Sequence, residues 1–175
     1  MTNRIRITAF ASIAIALTLT GCVKSFQNEK VTPTNIQDLI STEVSLAQAI
    51  KIAREHVSGT PSEIVAKTTS SGPVYVVKVI SKSSTKRVTI NANTGVVVSS
   101  KFKWNQQAKR QVISQKKYIE RSTLTLEGAI GLAEQQSKGK AISATVDHAK
   151  YPRNYEITIL KDLRTSTVTI PFSLE

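Results

Sequence analysis

Ser45-Leu46-Ala47-Gln48-Ala49-Ile50-Lys51-Ile52-Ala53-Arg54-Glu55-His56-Val57 and, eighty residues later, Thr125-Leu126-Glu127-Gly128-Ala129-Ile130-Gly131-Leu132-Ala133 are two versions of one pattern. In the first, Leu46, Ala49, Ile50, Ala53 and Val57 share one face of a 3.6-residue helix. Ser45 is a good N-cap, Gln48 three residues on completes a capping box, and Val44 can staple against Ala49. Gly59 followed by Pro61 ends the helix. In the second, Thr125 can cap, but Gly128 stands where the first has Gln48, so no box can close.

Working outward, Glu63–Thr69, Val74–Ser81 and Thr85–Ala92 are rich in Val, Ile and Thr and are bounded by turn residues, so three antiparallel strands are expected. Asn93-Thr94-Gly95 is a turn, and Gly95-Val-Val-Val-Ser begins a fourth. The eighty-residue shift also pairs Gly59 with Gly139, Tyr75 with Tyr155, and Val88-Thr89-Ile90 with Val168-Thr169-Ile170. The matched positions are the helix face, the helix stop and the strand centres, which a shared fold would fix. The expected architecture is α+β: two tandem copies of a helix packed on a small antiparallel sheet. Copy two ends at Pro171-Phe-Ser-Leu-Glu175 without the terminal turn and strand, so its sheet should have one strand fewer or borrow one.

The N-terminus carries Arg4 and Arg6, an apolar run from Ile7, and small residues before Cys22, the pattern of a secretory signal. The 14 residues Ile7 to Thr20 fall short of the ~20 that a membrane-spanning helix needs. Leu19-Thr20-Gly21-Cys22 resembles a bacterial lipobox, which implies a signal peptide over 1–21 and Cys22 as a lipid-modified first mature residue in the cell envelope. Two or three acyl chains anchor stably where one does not, at roughly 0.8 kcal/mol per buried methylene. Residues 22–43, polar and interrupted by Pro33, read as a tether.

In 44–100, Ser45-Leu-x-x-Ala49-Ile50, Pro73-Val-Tyr75-x-Val77 and Val88-x-Ile90-Asn-Ala92-x-Thr94-Gly95-x-Val97 resemble, in order and spacing, a PepSY domain, the small module of secreted-peptidase propeptides and envelope proteins. Copy two, 122–175, keeps Thr125-Leu-x-x-Ala129-Ile130 and Tyr155-x-Ile157 and loses the closing hairpin. The resemblance implies a helix across a curved antiparallel sheet, and a role in inhibiting or modulating a peptidase partner near the cell surface. It supplies no catalytic residues.

The residues offer little chemistry of their own. The chain has one Cys and two His. A single cysteine excludes an intramolecular disulfide and a Cys-rich metal site. His56 suits a helix C-terminus, His148 lies in a copy-two strand, and their repeat partners are Gln136 and Thr68, so neither site repeats. Tyr75 and Tyr155 read as packing residues. No metal, cofactor or enzymatic activity is expected, which leaves binding.

The chain has 24 Lys+Arg and 12 Asp+Glu. By segment, 44–100 carries 7 basic and 2 acidic residues, 101–121 carries 7 and 1, and 122–175 carries 6 and 6. The basic linker 101–121 either forms a helix, with Trp104, Ala108, Val112 and Ile119 near one stripe, or extends the preceding strand through Phe102 and Trp104. Its Lys101, Lys103, Lys109, Arg110, Lys116 and Lys117 are the candidate contact for an anionic partner, whether envelope polymer, membrane surface or acidic protein. Secretion argues against nucleic acid. The edge near Thr165–Phe172 is a second candidate, as a strand-accepting edge or as one that Pro171 protects.

Overall fold

Both amphipathic helices lie on one sheet. The computed structural model describes residues 33–82, 84–103, 109–147 and 152–173. Its elements are α1 (Pro33–Ile40), α2 (Leu46–His56), β1 (Thr60–Thr69), β2 (Gly72–Ser81), β3 (Ser84–Asn91), β4 (Val97–Lys103), α3 (Lys109–Arg121), α4 (Leu126–Ser137), β5 (Lys140–Val146), β6 (Asn154–Lys161) and β7 (Arg164–Pro171). The strands form a single seven-stranded antiparallel sheet in the order β4-β3-β2-β1-β5-β6-β7. The fold is the expected α+β arrangement of helices on antiparallel sheet, with one difference. The two small sheets are joined into one, because β1 pairs with β5.

That seam has internal symmetry. Ile64 sits opposite Ala144, its own equivalent eighty residues on, and is flanked by Glu63 opposite Thr145 and Val65 opposite Ser143. Each residue on one side therefore faces its mirror position on the other, as in an isologous two-fold interface. Each copy's first strand would otherwise be a bare edge, and mutual pairing covers both at once.

The repeat extends into details that fix the geometry. The register between β1 and β2 slips between Pro61 and Glu63, and that between β5 and β6 slips between Ala141 and Ser143. The Tyr75 hydroxyl donates to the Val44 carbonyl at 2.7 Å, and the Tyr155 hydroxyl donates to the Leu124 carbonyl at 2.8 Å. The Val44 amide donates to Ala92 and the Leu124 amide to Phe172. Each tyrosine thus ties the residue before a helix N-cap to the middle of the sheet. Ser45 closes its capping box with Gln48, whereas Thr125 caps Gly128 alone.

One core runs through both copies. Leu46, Ala49, Ile50 and Ala53 of α2 and Leu126, Ala129, Ile130 and Ala133 of α4 join Val77, Val79, Val88, Ile90, Ile157 and Ile159 in a single buried cluster. Full burial of such side chains contributes ~1.5–3 kcal/mol each. The alanines matter by being small, since they let both helices approach the sheet closely.

Three segments depart from the sequence expectations. Within the expected tether 22–43, Pro33–Ile40 is helical and packs on β1 and β2, with Leu39 buried. The segment 101–121 is divided: 101–103 extend β4, as Phe102 suggested, and Lys109–Arg121 form a helix. Strand β1 begins at Thr60 rather than Glu63, so Pro61, assigned to the helix stop, is a buried strand residue. The polarity of 22–43 concealed α1, which is only eight residues long.

These helices extend the repeat. Shifted by eighty, α1 falls within α3, Leu39 meets Ile119, and Thr42 meets Ser122. Lys140 at the start of β5 donates to the Ile40 carbonyl and to Thr42, while its equivalent Thr60 donates to Glu120, the equivalent of Ile40.

Two glycines pass close to the sheet. A Cβ on Gly59 would lie 2.5 Å from the Ile80 carbonyl oxygen, and one on Gly139 would lie 2.5 Å from Ile159 Cγ2 and 2.9 Å from the Leu160 carbonyl oxygen. Gly59→Ala and Gly139→Ala should each lower stability by about 2 kcal/mol or more, because backbone must shift. Gly131 has open space around its Cβ position and lies inside α4, so Gly131→Ala should raise stability by about 1 kcal/mol. Urea unfolding of the three variants checks the order.

Burial pushes both tyrosine hydroxyls above their ordinary pKa, partly offset by hydrogen bonds from Thr42 to Tyr75 and Ser122 to Tyr155. A group whose pKa rises on folding contributes stability below its unfolded pKa and loses it as pH climbs through the folded value. Tyr75→Phe should cost about 1–2 kcal/mol near neutral pH by removing the hydroxyl that donates to the Val44 carbonyl, and Tyr155→Phe should cost less, because Ser122 Oγ still donates to the Leu124 carbonyl. The double variant should also show a flatter loss of stability in the alkaline range, read from unfolding midpoints against pH.

Candidate functional site

The six candidate basic residues are divided between β4 and α3. Lys101 lies on β4 opposite Arg87 of β3 and is exposed. Lys103 ends β4 and Lys109 begins α3. Arg110 and Lys117 are exposed on α3, and Lys116 is paired with Glu120 one turn on. That hydrogen bond from Lys116, with a lesser one from Thr60, holds the Glu120 carboxyl below its ordinary pKa against a small opposing effect of burial. Lys116 is therefore already engaged within the chain. At 100° per residue, Arg110, Lys117 and Arg121 come within ~40° of one another on the helix, and all three are exposed. Arg121 was not among the six candidates, although its spacing of four from Lys117 was a visible signal.

Leu19, Thr20, Gly21 and Cys22 lie outside the described residues, as does His148. His56 is exposed at the end of α2. Tyr75 and Tyr155 are buried in the core, as packing residues. Among the described residues, no group of three or more His, Cys, Asp and Glu is placed to hold a metal ion.

The face of the sheet opposite the core cluster carries a graded row of charge. In register across the strands run Lys101 (β4), Arg87 (β3), Lys78 (β2), Glu63 (β1), Thr145 (β5), Glu156 (β6) and Thr169 (β7). Lys78 bridges to Glu63 at 3.6 Å. The basic end of the row therefore belongs to copy one, and the acidic end lies over the seam and copy two.

The two outer strands differ. On β7, Arg164, Thr165, Ser166, Thr167 and Thr169 are exposed, while Phe172 turns inward to meet the Tyr155 ring with centroids 4.6 Å apart. The β4 edge is apolar. Val96 is 62% exposed, Val98 61% and Phe102 64%. Lys86 Nζ sits 4.5 Å from the Phe102 ring centroid, a cation–π contact. The sequence showed a strand beginning at Gly95-Val-Val-Val; it did not show which of its apolar side chains face water.

The segment that carries this edge has known relatives. Residues 43–101 match the PepSY family. Its description is peptidase propeptide and YPEB domain. The matched segment spans α2 through most of β4 and thus includes the basic end of the charge row with Val96 and Val98, while Phe102 lies just beyond it. The family is of the propeptide type rather than catalytic. A solved structure from Clostridium difficile 630, described as a "putative lipoprotein", is similar at 18% identity and a TM-score of 0.49, covering 75% of this chain and 88% of that one. No curated protein matches. Among the described residues, no helix is long and apolar enough to cross a membrane.

Proposed function

We propose that the chain is a lipid-anchored cell-envelope binding protein whose PepSY module modulates or inhibits a secreted or envelope peptidase. The observation that carries this reading is the match of residues 43–101 to a peptidase-propeptide family. Two features support it. Leu19-Thr20-Gly21-Cys22 would place a diacylglyceryl anchor ahead of the folded part, and the module presents an apolar strand edge beside a basic row, a surface suited to protein contact. Inhibition would act by occupying the peptidase surface, with no covalent chemistry by this chain.

A peptidase should co-purify in stoichiometric amount from envelope extract and remain bound in ~0.5 M salt, where the Debye length falls to a few ångströms. Loss of all protein partners on washing at that ionic strength would overturn the reading. Cys22→Ser should shift the protein out of the membrane fraction or leave the precursor uncleaved; unchanged mass and fractionation would remove the anchor.

A second reading, electrostatic binding of anionic envelope polymer or membrane surface, is favoured by the alignment of Arg110, Lys117 and Arg121 on one exposed helix face. Neutralising Lys109, Arg110, Lys116 and Lys117 should then abolish binding to teichoic-acid-like or lipopolysaccharide-like polymer. Because Lys116 is engaged by Glu120, Lys116→Gln alone should change little, whereas Arg121→Gln alone should weaken binding. Binding that persists unchanged in the multiple variant eliminates this alternative.

A further inference from the structure

We infer that β4 is a docking strand that takes an extended protein segment of alternating apolar and acidic residues, added to the edge that no described strand covers. The inference deepens the proposed function by naming the contact and the chemistry of the partner, and it rests on the reading of the chain as a protein-binding module.

A sheet's outer strand carries unpaired N–H and C=O groups, and folded proteins commonly blunt such edges with charge, proline, bulges or polar side chains. The β7 edge is blunted in this way, with Arg164, a run of exposed Thr and Ser, and Pro171. The β4 edge also carries charge, at Lys101 and Lys103, and its register slips at the start between Thr89 and Ile90, so it is closed to a like-charged strand and open to an acidic one. From Ser99 to Lys103 the pairing with β3 is regular, so its far side is a straight template. Strand addition supplies main-chain hydrogen bonds, and the side chains of alternate positions select the partner.

The two faces of that template differ. On the helix-bearing face Phe102 is exposed, with Lys86 Nζ over its ring, beside Ser100, which pairs with the core residue Val88; the exposed Val96 and Val98 flank Val97, which packs against the core, at the irregular start of the strand. On the opposite face Lys101 and Arg87 stand side by side, and among the described residues neither is in an ion pair. A partner strand would lay apolar side chains along Phe102 and carboxylates along Lys101. The preference for acidic residues follows from that charge. The same charge opposes self-pairing of two β4 strands, since each copy brings basic residues to the edge.

The probe is a capped nonapeptide of alternating Glu and Val, with a Lys/Val peptide as control, added to the mature chain carrying Cys22→Ser. Fluorescence anisotropy should give saturable binding at least tenfold tighter for the Glu/Val peptide. Residue-resolved amide exchange should show new protection at 99–103. Phe102→Ser should weaken binding tenfold or more, and Lys101→Glu should reverse the preference between the peptides. Both side chains are exposed, so neither change should alter the unfolding midpoint appreciably. Protection at 164–171 instead, equal affinity for the two peptides, unchanged binding in both variants, or binding only to vesicles containing phosphatidylglycerol would each overturn the inference. If the peptide binds β4 but no peptidase co-purifies, the docking strand stands and the peptidase reading falls. If a peptidase is recovered equally by the Phe102→Ser and Lys101→Glu chains, the peptidase reading stands and the docking strand falls.

Discussion

The pairing of β1 with β5 is the constraint on which the rest depends. Only three positions define it, centred on Ile64 opposite Ala144, yet it turns two units with bare first strands into one sheet with one core. Neither copy has a large core by itself. Small domains bury a smaller share of their surface, and the shared cluster of α2, α4 and both sets of strands offsets that deficit. The large side chain of Ile64 opposite the small one of Ala144 suits close packing along the two-fold. A duplication whose first strand can pair with its own copy needs no new interface elsewhere.

Within each half, a tyrosine carries the link from sheet to helix. Tyr75 and Tyr155 span from the strand to the carbonyl just ahead of the helix N-cap, so helix start and strand register are fixed together. The same link orients the strand that follows, because Ala92 and Phe172 bond back to the same residues, Val44 and Leu124. The two halves cease to match at their outer strands. Copy one has β4 on the outside of β3, whereas β7, the equivalent of β3, is itself the outer strand among the described residues. Copy one also holds the basic end of the cross-sheet row. The pattern common to the two halves builds one sheet and one core, and the difference between them leaves β4 as the outer strand on one side.

Much of this was legible in the residues. The spacing of Leu46, Ala49, Ile50 and Ala53 and the Ser45/Gln48 box identified α2, and the shift of eighty found α4 despite Gly128. The strand residues of the PepSY resemblance lie in the matched segment. The helix α1 was hidden because it is only eight residues long within a polar stretch, although Ile36, Leu39 and Ile40 are spaced for one helical face. The candidate site was legible only in part. Lysines could be counted along 101–121, but their division between a strand and a helix, the engagement of Lys116 by Glu120 and the alignment of Arg121 with Lys117 depend on where β4 stops and α3 starts.

By itself, the sequence determined the local elements, the helix caps and the glycines at the helix-to-strand crossings, because each is dictated by backbone sterics or by hydrophobic spacing within a few residues, and it showed the same pattern again at an offset of eighty. Tertiary structure alone decided that the two sheets are continuous, that Tyr75 and Tyr155 close onto residues 31 positions earlier, and that Val98 and Phe102 face water rather than core. An alternating strand shows which residues share a face. It does not show which face another element covers, and that depends on contacts between residues far apart in the chain.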